Sequence, residues 1–140
     1  MKKLALASAL ALSACARSGG DLPAIHYGRD ACARCGMILS EERFASGYVG
    51  DDGETVAFDD LGELLAAVSG NPALAAKSYV HDSRDGRWLR ASQAVFAKLP
   101  GLTTPMGSGY AAFSSEAEAE DYARLLGRPL STPVVTLPPP

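Results

Sequence analysis

Phe58-Asp59-Asp60-Leu61-Gly62-Glu63 runs from the end of a strand, through a cap, into a helix. Asp60 is placed to accept backbone N–H groups as an N-cap, with Glu63 three residues on in a variant of the capping box. Leu61, Leu64, Leu65 and Val68 recur at helical spacing, Gly70 supplies a stop, and Asn71-Pro72 bars continuation. Upstream, residues 44–49 and 54–58 flank Gly50-Asp51-Asp52-Gly53, a turn-rich connection of the kind that closes a β-hairpin. Hairpin followed by helix makes a ββα unit. Residues 73–77 are short and alanine-rich, enough for a helical turn at most.

The second half repeats the plan. Residues 78–82 and 87–91 bracket Asp85-Gly86, a hairpin signal, with Tyr79, Trp88 and Leu89 as core or half-buried positions. Residues 92–99 read two ways, because Ser92 suits the start of a helical turn and Val95-Phe96 suits a strand. A strand over 110–113 then leads into Phe113-Ser114-Ser115-Glu116-Ala117-Glu118, which again runs strand end, cap, helix. Ser115 and Glu118 form a capping box, Ala119, Tyr122, Ala123 and Leu126 share a face, and Gly127 stops the helix. Each echo follows a Gly-flanked Met, Met37 and Met106, although the Met-to-Phe spacings differ. An amphipathic helix must bury its face on its sheet, so the expectation is an α+β fold of two ββα-type units sharing one core.

A chain of 140 residues suits one such domain. Its parts are expected to be a signal peptide over 1–14, a lipidated Cys and tether over 15–22, the α+β domain over 23–128 and a Pro-rich tail over 129–140. Lys2-Lys3 precedes an apolar run from 4 to 12 too short to span a bilayer, the pattern of an export signal. Leu12-Ser13-Ala14-Cys15 resembles the bacterial lipobox, which implies cleavage before Cys15 and its lipidation. Acyl chains would then anchor the domain to a membrane it does not cross. Ala16 after the Cys favours, by analogy, the outer membrane and a periplasm-facing position. The net charge is −3, or −5 once Lys2 and Lys3 are gone. An acidic chain without a basic run carries no electrostatic footprint for nucleic acid.

Chemistry concentrates in Cys32-Ala33-Arg34-Cys35-Gly36-Met37 and in Pro105-Met106-Gly107. A Cys-x-x-Cys pair has four meanings. A disulfide suits an exported protein, but here it would join almost nothing. A four-cysteine zinc site lacks its second pair, though His26 or His81 would complete a mixed one. A thiol-disulfide oxidoreductase places the pair at the start of a helix, whereas Gly36 and the hairpin downstream point to a loop. Copper as Cu(I) is the fourth, because thiolate and thioether are soft ligands that select it. Most Met residues fill cores. Beside Gly and Pro, however, Met37 and Met106 belong to loops, and their pairing with Cys35 favours ligation.

Lipobox Cys15, the Cys-x-x-Cys-Gly-Met element, Trp88 to Ala94, then Thr104-Pro105-Met106-Gly107 and Ala111-Ala112-Phe113-Ser114-Ser115 with Ala119 beyond, are together similar to the NosL family. The resemblance runs over about 31–127. It implies a lipoprotein copper chaperone that passes Cu(I) to a maturation system, that of nitrous oxide reductase, at the cell envelope in denitrification. It also implies an α+β fold like that of organomercurial lyase. Carried onto this chain, Cys35 is the first ligand and Met106 the next, with Met37, Cys32 and His26 as further candidates and His81 on the second hairpin.

Two rival functions share these residues: a redox protein cycling Cys32 and Cys35, and a lyase in which paired thiols attack a carbon–metal bond. The lyase needs a proton donor from a carboxyl group such as Asp30 or Asp82, and no sequence feature sets a carboxylate beside the thiols. A binding protein without catalysis is the better reading.

Overall fold

A computed structural model describes residues 22–130 and 132–137. The leader, Cys15, most of the tether and Pro138-Pro139-Pro140 lie outside them. The first hairpin pairs β1 (Ser46–Val49) with β2 (Thr55–Phe58), in register Ser46 with Phe58 and Val49 with Thr55. Gly53 turns the chain at φ +83°, a conformation that costs a glycine little. Helix α1 (Leu61–Val68) follows at once, with the Asp60 side chain accepting from Gly62 N. Leu61, Leu64 and Val68 form its buried stripe. Residues 73–77, expected to give a helical turn at most, lie in α2 (Pro72–Lys77), which Asn71 caps by accepting from Leu74 N and which has Pro at its first turn.

The second hairpin, β3 (Tyr79–His81) and β4 (Trp88–Arg90), does not found a separate unit. β3 pairs antiparallel with β1, so both hairpins join one four-stranded sheet in the order β2-β1-β3-β4. The ambiguous residues 92–99 contain both readings in succession: a short 3-10 turn (Ala91–Gln93), then β5 (Val95–Lys98). β5 pairs with β6 (Tyr110–Phe113) on one side and with β7 (Val135–Thr136) on the other. Helix α3 (Glu116–Leu125) then starts from a Ser115 cap that accepts from Glu118 N. The ββα units are thus β1-β2-α1 and β5-β6-α3, with the middle hairpin attached to the first.

The core sits where the two sheets and α1 meet. Leu39, Phe58, Leu61, Leu64, Val80, Phe96 and Ala112 are in one buried cluster, while Ala97, Ala111, Phe113, Ala119 and Ala123 form a second under α3. Alternate residues of β5 and β6 go to opposite clusters, as the two-residue period of a strand requires. The sheets are also tied by hydrogen bonds, Ser83 N to Ala112 O at 2.8 Å and Ala112 N to Ser83 Oγ at 3.2 Å.

Candidate metal centre

The Cys-x-x-Cys turn is built by its own backbone and pinned to the first hairpin. Gly36, at φ +75°, donates to Cys32 O, Cys32 N donates to Met37 O, and Ala33 N donates to Ala57 O on β2. That last bond sets the turn beside Phe58-Asp59, where β2 runs into α1. Both cysteines are free thiols, Cys32 buried and Cys35 half-buried.

Two carboxylates meet them there, which the sequence reading did not anticipate. Cys32 Sγ donates to Glu63 Oε2 at 2.9 Å, and Cys35 Sγ lies 3.7 Å from the same oxygen and 3.6 Å from Asp59 Oδ1. Glu63 had been expected to close a capping box on Asp60, but its carboxylate turns to the thiols instead, one turn into α1. Asp59 and Glu63 are four residues apart across the strand-to-helix junction, the spacing that puts side chains on one helical face. That was the signal available in the sequence, hidden because acids at a helix start are ordinary capping residues.

Burial dominates the acid–base properties of Cys35 and Glu63. It pushes the Cys35 thiol up to about 12, a rise that the neighbouring Cys32 and the Asp59 charge reinforce against a backbone hydrogen bond from Met37. The Glu63 carboxyl is also raised, by burial first and by its Asp59 neighbour, against the hydrogen bonds from the thiols. The metal-free nest therefore holds the Cys35 thiol protonated near neutral pH.

Asp60 brings up the other sulfur-bearing loop. Its carboxylate is fully buried, and while Oδ1 caps α1 through Gly62 N at 2.8 Å, Oδ2 accepts from Thr104 Oγ1 at 2.6 Å and from Met106 N at 2.9 Å. Ser108 N is 3.5 Å from the same oxygen. Burial alone would raise this carboxyl, but hydrogen bonds from Ser108, Thr104, Gly62 and Met106 outweigh it and hold the group below its ordinary value. Gly62 permits the approach, since a Cβ there would lie 2.5 Å from Ser108 Cβ. The Pro-Met-Gly turn is thus seated on the same helix start that presents Asp59 and Glu63, with the Met106 side chain 46 % exposed.

The remaining sulfur and imidazole groups lie as follows. Met37 follows the cysteine turn with its side chain 50 % exposed. His26 is exposed at the turn before it, its Nδ1 3.1 Å from Asp30 Oδ2, and it is not among the four closely gathered donors. His81 is buried, its Nδ1 2.7 Å from Gly86 O and its Nε2 3.1 Å from Tyr27 Oη, with Trp88 stacked at 3.7 Å, so both ring nitrogens are occupied.

The sequence matches the NosL family over residues 24–128. Comparison with curated proteins gives no match. Among solved structures, the copper chaperone NosL from Shewanella denitrificans is similar at 19 % identity with a TM-score of 0.63, over 85 % of this chain and 94 % of that one. At that identity the likeness establishes a shared fold.

Proposed function

The chain belongs to the NosL family, and from that premise we propose that it carries copper at the cell envelope and does not act as an enzyme. Cu(I) is taken by Cys35 and Met106, with Met37, Cys32 and His26 as additional or exchanging ligands. The observation that carries this reading is the Asp60 carboxylate, which bonds at once to the cap of α1 and to Met106 N, holding the thioether loop against the helix start that faces the thiols. A thiolate and a thioether favour Cu(I) over harder ions. The half-exposed Met37 and Met106 suit transfer, because a partner must reach the ion to displace one ligand at a time. The solved relative named a copper chaperone supports the same role.

We further infer that Cys15 is the lipidated first residue of the exported protein, tethered at the outer membrane and facing the periplasm, and that the acceptor is a maturation system for nitrous oxide reductase. The experiment that tests copper binding titrates the reduced protein with Cu(I) against a competing chelator. Cys35→Ser and Met106→Ala are each expected to weaken binding about tenfold or more, or roughly 1.4 kcal/mol. Wild-type binding no tighter than that of Cys35→Ser removes the copper reading in favour of thiol redox chemistry.

A further inference from the structure

The three-stranded sheet has an edge that the chain covers with its own later segment. β5 is central only because β7 lies beside it, in the order β6-β5-β7. Two residue pairs hold β7 there, Val95 with Thr136 and Phe96 with Val135. In that register Pro133 falls opposite Lys98, and Pro138 follows Leu137. A proline has no N–H to give a ladder, so the pairing is confined between the two prolines. Both residues of β7 are exposed. The apolar hold comes from its neighbours: Leu130 and Val134 are partly buried against the cluster under α3, and Leu137 against the main core. This segment lies beyond residues 24–128, which match the family.

A strand stripped of such a cover presents a row of unpaired N–H and C=O groups, a template for another strand. β5 is also self-complementary. Laid antiparallel on itself across a two-fold axis over Val95–Lys98, it sets Val95 of one copy against Lys98 of the other, and Phe96 against Ala97. Lys98 is the one charge in the strand, and in this register it does not meet its own copy.

We propose that the β5 edge is a self-association surface, that its occupant is the β5 edge of a second copy of this chain, and that β7 is the removable cover. With β7 seated the protein is a monomer. With β7 lifted, two copies pair along Val95–Lys98 into one sheet, β6-β5 of one copy continuing into β5-β6 of the other. The pairing also shields the apolar surface on both clusters that Leu130, Val134 and Leu137 vacate. A cover of two exposed residue pairs is cheap to lift, so protein concentration sets the balance between cover and second copy. The surface contains none of the copper ligands named above, and it stands or falls separately from them.

Sedimentation velocity of the reduced protein over a range of concentrations tests this. Wild type is expected to sediment as a monomer. The double variant Val135→Pro/Thr136→Pro removes both β7 N–H groups at exposed positions and is expected to show a concentration-dependent doubling of mass. Val95 is half-buried and takes part in neither buried cluster, so it can carry a charge that reports the register. Added to the double variant, Val95→Lys sets like charges opposite each other twice per dimer and is expected to weaken it about tenfold, whereas Val95→Glu is expected to leave it at least as tight. A double variant that stays monomeric at every concentration overturns the proposal. So does a dimer that Val95→Lys and Val95→Glu alter equally, which places the contact elsewhere, and so does growth beyond the dimer, since a two-fold strand pair closes on itself. Should the two prolines cost the fold, as read from Trp88 fluorescence, Leu137→Ser loosens only the apolar hold of the cover; dimerisation of that variant upholds the proposal and a monomer at every concentration overturns it.

Discussion

Glu63 sits in the first turn of α1, and its carboxylate accepts from the buried Cys32 thiol at 2.9 Å. The cysteines and methionines were legible from the sequence, since soft donors next to glycine have few structural uses. Asp59 and Glu63 were not, because acids before and within a first helical turn are common for electrostatic reasons alone. What distinguishes them is burial against Cys32 and Cys35, a tertiary fact that depends on Ala33 N reaching Ala57 O. The same burial has a measurable consequence in the metal-free protein. A thiol raised to about 12 exposes little thiolate at pH 8, and thiolate is the reactive form. From its thiolate fraction, Cys35 is therefore expected to react with iodoacetamide on the order of 1,000-fold more slowly than an unperturbed cysteine of pKa about 8.5. Mass spectrometry of a timed alkylation checks this. Labelling at the rate of a free peptide thiol contradicts the burial.

Among the elements, the start of α1 organises the site. Its cap, Asp60, was readable from the pattern of a strand followed by an acid and a helical stripe. Its second task, holding residues 104–108, was not, because those residues are 44 to 48 positions away in the chain. Asp60→Ala removes an N-cap and strands the donors of Thr104 and Met106, so a loss of about 2–4 kcal/mol is expected in denaturant unfolding. The linkage has a definite sign. A carboxyl held below its unfolded value of about 3.9 contributes stability that is complete above that pH and is lost as pH falls through the lower folded value. Wild type should therefore lose stability below about pH 4 more steeply than Asp60→Asn. Parallel acid profiles for the two proteins would assign the buried carboxylate no ionised role. A copper titration of Asp60→Asn tests the Met106 side of the site, since the Met106 loop depends on Oδ2 whereas the cysteine turn is held by β2.

At the scale of the whole molecule, the repeated ββα pattern was legible but the sheet partners were not. Hairpin signals are local, whereas the pairing of β3 with β1 depends on which edges the folded units leave open. The result is that the middle hairpin, placed by its order in the chain with the second unit, belongs to the first sheet. The short sheet of β5 and β6 is then buried on both faces, one in the main core through Phe96 and Ala112, the other under α3 through Ala111 and Phe113. Its alanines follow from that confinement, since both faces have close neighbours. A shared sheet also means that neither unit can lose its packing without disturbing the other. Phe113→Ala removes a fully buried ring on the α3 side and is expected to cost about 3–5 kcal/mol. Trp88, the chain's one tryptophan, lies on β4 in the other sheet, stacked on His81. If the molecule unfolds as one unit, Trp88 fluorescence and the far-ultraviolet signal of the helices shift together in Phe113→Ala, to a single lower midpoint. A variant in which helix signal is lost first while Trp88 keeps its wild-type midpoint would show the α3 unit to be separable, and the two clusters to be independent cores.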